Sequence, residues 1–202
     1  MMTKLPPVFF ERPDVVQVAR ELIGKILLTR LDGIVTSGRI VETEAYNGVV
    51  DRASHAYKGR RTARTETMYS AGGVAYVYLC YGIHHLFNVV TNIKDVPHAV
   101  LIRGIEPVEG VEQMLDRMRK LKLDHTVGRG PGNVSRALGI STEHTGNSLQ
   151  EEISIWDDGF VLKPSDIIAS PRIGIDYAGE DATLPYRFYQ KGNRHVSGKG
   201  NK

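Results

Sequence analysis

The stretch KILLTRLDGIVTSGRIVETEAY, Lys25–Tyr46, predicts a β-hairpin and with it an antiparallel sheet. An apolar run leads into Asp32-Gly33, a dipeptide typical of tight hairpin turns, and a second apolar run returns from it. The return strand ends near two carboxylates, Glu42 and Glu44, which share one face if the strand is regular. The sequence therefore predicts a hairpin whose second strand carries acidic groups near its end.

The segments around this hairpin alternate between helical and strand periodicity. Apolar residues at helical spacing predict a helix over 15–23 that stops at Gly24. Residues 72–93 predict a second hairpin, with Tyr81 at or near its tip because Gly82 follows. Residues 98–108 predict another strand.

The second half of the chain predicts two helices and several short strands. An amphipathic helix is expected over 109–123, and a Gly/Pro-rich loop over 128–132 leads into a short helix. Short strands are expected within 153–159, 167–175 and 186–192. The apolar face of the amphipathic helix comprises Val111, Met114, Leu115, Met118 and Leu121.

These elements predict an α+β fold built as a single domain, residues 1–202, around a mostly antiparallel sheet. A chain of 202 residues is long enough to bury about 70% of its unfolded surface in one core. We expect flexible ends at about 1–8 and 198–202.

Composition excludes several classes of protein. The one cysteine, Cys80, permits no disulfide within the chain and favours a reducing compartment. No Cys/His spacing resembles a zinc site, so we expect no metal. No apolar run reaches the roughly 18–20 residues of a membrane span, and no signal-peptide pattern begins the chain. We therefore expect a cytoplasmic protein without a membrane partner.

The net charge of +3 is small, but its distribution is uneven. Lys58, Arg60, Arg61 and Arg64 lie in one short segment, and the tail over 190–202 is basic without acids. Local basic clusters on a near-neutral body suit a phosphate-binding face. A solvated loop and a frayed tail explain the same pattern.

Glu44 and Arg103 both lie late in predicted strands. A carboxylate in such a position is commonly one half of a salt bridge. The functional alternative is a general base, because an ionised glutamate can accept a proton from a bound water. An arginine nearby would then hold the water or the carboxylate in place.

Tyrosines are concentrated between positions 46 and 81, where six of the nine occur. Packing within β-hairpins explains tyrosines in general. Aromatics interleaved with cations are also what a pocket for a flipped nucleobase needs, and an aromatic at a hairpin tip can wedge between bases. The six residues are Tyr46, Tyr57, Tyr69, Tyr76, Tyr78 and Tyr81.

Taken together, the motifs resemble one known family. The segments GRIVETEAYNG, SHAYKGRRTART, VYLCYGIHHLFNVV, AVLIRGIEP, GPGNVSRALGI, RIGIDYAG and YRFYQKG occur in the order found in the alkyladenine DNA glycosylases, also called 3-methyladenine DNA glycosylases of the eukaryotic and bacterial alkylpurine type. The resemblance extends over nearly the whole chain.

The resemblance implies a base-excision-repair enzyme with a curved antiparallel sheet, flanking helices and a protruding hairpin. Such enzymes flip alkylated purines such as 3-methyladenine out of duplex DNA and hydrolyse the N-glycosidic bond, leaving an abasic site. Hypoxanthine and ethenoadenine are further candidate lesions. The resemblance implies no cofactor, no lyase activity, no obligate protein partner and a monomer that associates with the nucleoid when on DNA.

The resemblance also implies roles for particular residues in the chemical step. Glu44 matches the general base that activates the water, and Arg103 matches the arginine near that water. The main-chain carbonyl of Val196 matches a third group at the water site.

Further matches concern the DNA. Asn88 matches an asparagine that rejects guanine by clashing with its exocyclic amine, and Tyr81 matches the residue that intercalates into the vacated stack. The residues that match the pocket for the flipped base are Tyr46, His55, Tyr78 and Asn88, and those expected to hold the DNA backbone are Arg60, Arg61 and Arg64.

The chain departs from the family pattern at Thr65, where Asn is expected, and at Asn133-Val134, where Lys-Leu is frequent. These departures concern local DNA contacts or loop packing, while His84-His85 is expected to pack or face solvent. Two other functions stay open: a non-catalytic nucleic-acid-binding module, and a transferase with phosphate in the 128–132 loop. That loop lacks the Lys-Ser/Thr pair of a P-loop.

Overall fold

Nine strands of the described part of the chain, residues 1–198, form one sheet in this computed structural model. The strands are β1 (Thr3–Lys4), β2 (Ile26–Leu31), β3 (Ile34–Tyr46), β4 (Ala75–Cys80), β5 (His84–Thr91), β6 (His98–Glu109), β7 (Ile153–Asp157), β8 (Ile167–Ser170) and β9 (Arg187–Gln190). The helices are α1 (Pro7–Phe10), α2 (Val15–Glu21), α3 (Val111–Met118) and α4 (Pro131–Leu138). Short 3₁₀ turns occupy Gly48–Val50, Tyr57–Gly59, Glu66–Tyr69, Thr142–His144, Pro164–Asp166 and Asp176–Thr183.

Every pairing between these strands is antiparallel, in the order β1-β7-β2-β3-β6-β5-β4, with β9 joining β3 and β8 at one side. Both predicted hairpins, β2–β3 and β4–β5, are present. The α+β class with a large antiparallel sheet is therefore confirmed.

Strand β3 is the structural centre of the molecule. It pairs with β2 along its first half, with β6 along most of its length and with β9 near its end. Its register against β6 shifts on both sides of Glu42. Such irregularities bend a strand and increase its twist, and here they occur at the carboxylates.

One face of the sheet packs into the main core and the other opens into a cavity. On β6 the core takes Val100 and Ile102, whereas Leu101 and Arg103 line the cavity. The same alternation holds on β4 and β5, because side chains of a strand point to opposite faces in turn. Helices α2, α3 and α4 each contact the sheet, α3 and α4 also contact each other, and the buried apolar residues of all three belong to the main core.

One predicted element was too long. The helix expected over 109–123 ends at Met118, because Arg119 adopts a left-handed conformation (φ 54°), and Leu121 is fully exposed instead of packing on the apolar face. The short strand expected within 167–175 is present as Ile167–Ser170, and it ends directly before Pro171, a residue that cannot donate to a ladder.

Both ends of the chain were predicted to be flexible. Thr3–Lys4 pairs with β7 inside the segment predicted to be flexible. The predicted C-terminal flexible end lies outside the described residues from position 199 onward. The single-domain boundary and the flexibility of both ends stay predictions.

Candidate active site

A cavity of about 620 Å³ opens on the sheet face opposite the main core. Its size lies within the range of small-ligand sites, about 300–1,000 Å³. Strands β3 to β6 line one side, and loops around positions 53–64, 129–133 and 173–177 complete it. The lining residues important for the site are Tyr46, His55, Arg64, Tyr76, Tyr78, Tyr81, Asn88, Leu101, Arg103, Arg129, Ile173 and Tyr177.

Glu44 is fully buried and is not itself among the residues that line this cavity. Its Oε2 accepts a hydrogen bond from the Tyr46 hydroxyl at 2.9 Å and one from Arg103 Nη1 at 3.4 Å. Its Oε1 accepts from the backbone N–H of Ile173 at 2.8 Å. All three donors belong to residues that line the cavity, so the structure brings the predicted base and the predicted arginine together.

Glu42 is equally buried but has different partners. It accepts from Arg103 Nε at 3.3 Å, from Arg187 Nε at 2.7 Å, and from both the N–H and the hydroxyl of Ser197. Arg187 and Ser197 do not line the cavity. Both glutamates therefore contact one guanidinium, yet only Glu44 is otherwise bonded to cavity-lining groups.

Burial works against the charge of Arg103, but the two carboxylates Glu44 and Glu42 outweigh it and raise the pKa of Arg103. Burial also raises the pKa of the Tyr46 hydroxyl well above its usual value, and the negative charge of Glu44 raises it further. Tyr46 is therefore a neutral hydrogen-bond donor at any physiological pH.

Aromatic rings form the walls of the cavity. The His55 ring lies edge-on to the Tyr78 ring with centroids 4.6 Å apart, and its Nδ1 is hydrogen-bonded to the Tyr76 hydroxyl at 2.9 Å. Burial, with the charges of Arg64 and Arg60, lowers the pKa of His55 to about 4. The imidazole is accordingly neutral, and burial likewise raises the pKa values of Tyr76 and Tyr78.

Asn88 lies in the cavity wall with its amide orientation fixed. Its Nδ2 donates to the carbonyl oxygens of Tyr76 and Leu86, both at 3.1 Å. These two acceptors require the nitrogen on that side, so the amide oxygen occupies the other side.

Tyr81 is at the tip of the β4–β5 hairpin, as the sequence predicted, and at the mouth of the cavity. It is 91% exposed and has a left-handed backbone with φ 51°, followed by Gly82 at φ 72°. A left-handed conformation costs a non-glycine residue roughly 1–2 kcal/mol. The turn therefore holds a large aromatic side chain in solvent despite that cost.

The three predicted backbone-binding arginines have different surroundings. Arg64 lines the cavity with its guanidinium 5.4 Å from the centre of the Tyr78 ring. Arg61 forms ion pairs with Glu66 and Asp95, both at 2.7 Å. Arg60 is exposed and forms no ion pair within residues 1–198.

The departures at 65 and 133–134 have local structural contacts, in a loop at Thr65 and in helix α4 at Asn133 and Val134. Thr65 is buried, and its hydroxyl accepts from the Thr62 N–H and donates to the Arg60 carbonyl. Asn133 Nδ2 donates to the carbonyls of Thr126 and Arg129, and Val134 is buried in the main core. Each substituted residue therefore has a structural role here.

The tail residue Val196 is buried against Val41 and Tyr189. Its neighbour Ser197 accepts from Arg103 Nη2 at 3.1 Å and contacts Glu42 as described. These contacts bring the backbone at 196 close to Arg103. The role of its carbonyl stays a prediction.

Comparison with known proteins gives this geometry a context. The family model for methylpurine-DNA glycosylase matches residues 8–194. The chain belongs to the methylpurine-DNA glycosylase family. This confirms the resemblance and the class of enzyme, a DNA glycosylase of DNA repair that binds DNA.

Relatives within the methylpurine-DNA glycosylase family are similar over nearly their whole length. A protein of Chlamydia abortus named "Putative 3-methyladenine DNA glycosylase" is 50% identical over 186 residues, which cover 91% of this chain and 96% of that protein. Proteins with the same name from Clostridium perfringens and Bacillus thuringiensis are 45% and 46% identical, covering 95% and 96% of this chain and 97% and 98% of theirs.

Several cavity residues were not assigned to the site from the sequence. Tyr76 was named in the tyrosine cluster but given no role, and it lies two residues from Tyr78 on the same strand face. Ile173, Tyr177 and Arg129 come from distant loops that no periodicity connects to the strands. Their places became evident only from the tertiary structure.

The glycine-rich loop of the candidate transferase function has a packing explanation. A Cβ atom at Gly128 would overlap the carbonyl oxygen of Ile105, and the Ile105 N–H donates to the Gly128 carbonyl at 2.9 Å. The glycine thus permits close backbone packing.

Two further observations concern the described residues alone. Residues 1–198 contain no group of three or more His, Cys, Asp or Glu side chains arranged to hold a metal ion. In the same part of the chain, none of the helices is both long and apolar enough to traverse a membrane.

Proposed function

We propose that the protein excises alkylated purines, such as 3-methyladenine, by flipping the damaged nucleotide into the cavity and hydrolysing its N-glycosidic bond. The observation that carries this proposal is the buried Glu44 carboxylate, which is hydrogen-bonded to residues that line a cavity walled by aromatic rings. A flat base needs such faces, and the bond to its sugar needs a base for water.

The aromatic walls of the cavity favour binding of a flat, damaged purine base. Tyr46, His55 and Tyr78 provide ring faces and edges, and Tyr81 fills the gap that the flipped nucleotide leaves in the duplex. Flipping costs a few kcal/mol, less for a damaged or mispaired base, so part of the selectivity arises before chemistry. The fixed amide of Asn88 excludes guanine by contact with its exocyclic amine.

In the chemical step, the C1′–N bond breaks and its electron pair stays with the purine. A water held by Glu44, Arg103 and the Val196 carbonyl adds its oxygen to C1′, and its proton passes to the Glu44 carboxylate. The negative charge of that carboxylate also stabilises the positive charge that develops on the sugar.

The charge of the lesion determines whether an acid is needed. A cationic alkylated purine leaves as a neutral base, so one carboxylate is sufficient. Hypoxanthine and ethenoadenine are neutral and must receive a proton, which makes them secondary substrates. No lysine is among the cavity-lining residues that the structure describes, so we propose hydrolysis without Schiff-base lyase chemistry.

Every side chain named in this mechanism belongs to one chain, and we propose that a monomer acts without a protein partner. Duplex DNA is the partner, so the activity belongs to the cytoplasm at the nucleoid.

The test is excision from defined duplexes. The protein is incubated with duplexes containing 3-methyladenine, hypoxanthine or no lesion, and free base and alkali-labile sites are measured. We expect both products from the lesion duplexes and no protein–DNA adduct after borohydride. Binding without base release would contradict the proposal and favour a non-catalytic binding module.

A further inference from the structure

A buried ion pair, Arg172–Asp51, lies behind the cavity wall. The side chains are 0% and 1% exposed, and two parallel hydrogen bonds join the guanidinium to the carboxylate. Arg172 also donates to the carbonyl of Ala45 at 2.8 Å and to that of Asp181 at 3.3 Å. This pair is outside the set of residues assigned to catalysis above.

The arginine contacts the segment that carries the proposed base. Ala45, whose carbonyl it binds, lies between Glu44 and Tyr46 in β3. The guanidinium lies 4.8 Å from the centre of the Tyr46 ring, behind the ring that lines the cavity. The next residue, Ile173, donates its N–H to Glu44 Oε1 at 2.8 Å.

The aspartate organises the loop that leads to the cavity histidine. Asp51 accepts from the backbone N–H groups of Asn47 and Ala53, both at 2.9 Å. Ala53 lines the cavity two residues before His55. One ion pair therefore connects the strand with the base, the loop with the histidine and the loop with the Ile173 donor.

We infer that Arg172 is a positioning residue for excision, which sets the orientation of the Glu44 carboxylate and the Tyr46 ring; this inference rests on the proposed function. A buried ion pair is a weak source of stability, because desolvation of the charges offsets their attraction. Here Arg172 Nε is also buried without an acceptor among the described protein atoms. The planar guanidinium instead provides a rigid geometry that an ammonium cannot.

The test substitutes Arg172→Lys, which keeps the positive charge beside Asp51 but loses the planar guanidinium that forms two parallel hydrogen bonds. Displacing a reacting group by about 1 Å costs on the order of 100-fold in rate, so we expect single-turnover excision of 3-methyladenine to fall by about 10- to 100-fold. Affinity for the lesion duplex should change far less, because orientation of the base acts on the chemical step.

The matched control is Arg39→Lys. Arg39 also forms a bidentate pair, with Asp158, donates to a carbonyl, that of Gly24, and lies 4.2 Å from the centre of an aromatic ring, that of Phe160. It does not line the cavity. We expect the control to excise at the wild-type rate.

If the wild-type protein excises the lesion and Arg172→Lys excises it at the same rate, the inference about Arg172 is overturned and the proposed function stands. Absence of excision by the wild type itself would instead refute the proposed function.

If Arg172→Lys does not fold, as judged by its thermal midpoint and binding of undamaged duplex, the double variant Arg172→Gln/Asp51→Asn replaces it. Removing both charges together avoids an uncompensated buried ion. The same slowing is expected in this folded variant, and a wild-type rate would again overturn the inference.

Discussion

Two buried carboxylates on one strand illustrate how the surroundings of a residue determine its function. Glu42 is bonded to two arginines and to the tail at Ser197, whereas Glu44 is bonded to groups that line the cavity. Sequence alone left the choice between them to motif position. The partners of each residue now support Glu44 as the base and Glu42 as a structural anchor.

We predict opposite effects for two matched substitutions. Glu44→Gln should keep lesion-duplex binding but abolish single-turnover excision, because an amide cannot take the proton of water. Glu42→Gln should instead lower the free energy of unfolding by about 3 kcal/mol, since it weakens a buried charge network. Urea unfolding and excision of 3-methyladenine are measured on both variants. Normal excision by Glu44→Gln would show that Glu44 is not the general base.

His55 makes stability depend on pH in a definite direction. Burial and the nearby charges of Arg64 and Arg60 lower its pKa from 6.5 to about 4 in the folded protein. Between these values the unfolded chain binds more protons at this site than the folded one. The contribution of His55 to the free energy of unfolding is therefore fully present above pH 6.5 and is lost as pH falls toward 4.

Replacing the histidine should remove that dependence. The shift corresponds to roughly 3 kcal/mol between pH 7 and pH 4. We predict that the free energy of unfolding of His55→Gln falls less over this interval than that of the wild type, by about that amount. Urea titrations of both proteins at pH 7 and pH 4 measure the difference; equal losses would show that His55 is not held neutral by burial.

At the scale of elements, local signals predicted more than long-range ones. Asp32-Gly33 and the alternation of β4 and β5 were sufficient for both hairpins. The register shifts beside Glu42 and the addition of β9 to β3 depend on contacts between residues far apart in sequence, so no local pattern contains them. The end of α3 depends on the left-handed conformation of Arg119, a residue whose type does not demand it.

We predict that the tip of the β4–β5 hairpin matters for DNA binding and not for stability. Tyr81→Gly removes both the exposed ring and the strain of its left-handed φ of 51°. Loss of that strain and the greater freedom of glycine in the unfolded chain nearly cancel, so stability should change by less than about 1 kcal/mol. Affinity for the lesion duplex should nevertheless fall about 10-fold, as expected when the stacking of one aromatic ring on a base is removed.

Val161→Ser is the control for the hairpin, because Val161 is 85% exposed and does not line the cavity. Denaturation midpoints and equilibrium titrations with a lesion duplex are compared for the three proteins. Unchanged lesion affinity in Tyr81→Gly would contradict intercalation by this residue.

At the scale of the whole molecule, the candidate site combines one predictable segment with several that are not. Residues 42–64 contain the proposed base, two proposed pocket residues and the basic cluster, and the sequence placed them together because they are neighbours in the chain. Arg172, the Ile173 donor and Tyr177 join them from loops more than 100 residues away, and Arg172 does so by pairing with Asp51 of this segment. Such juxtapositions are consequences of the complete fold.

The charge on the surface near the cavity supports a final prediction, which compares two adjacent arginines. Arg61 is held by Glu66 and Asp95, so a phosphate must compete with two carboxylates, whereas Arg60 has no ion-pair partner within residues 1–198. The slope of log K against log salt changes by about 0.9 for each phosphate that the protein no longer neutralises. We therefore expect Arg60→Ala to reduce the slope for undamaged duplex by about 0.9 and Arg61→Ala to reduce it less. Titrations between low and moderate salt measure both slopes, and equal reductions would mean that DNA displaces Glu66 and Asp95 from Arg61.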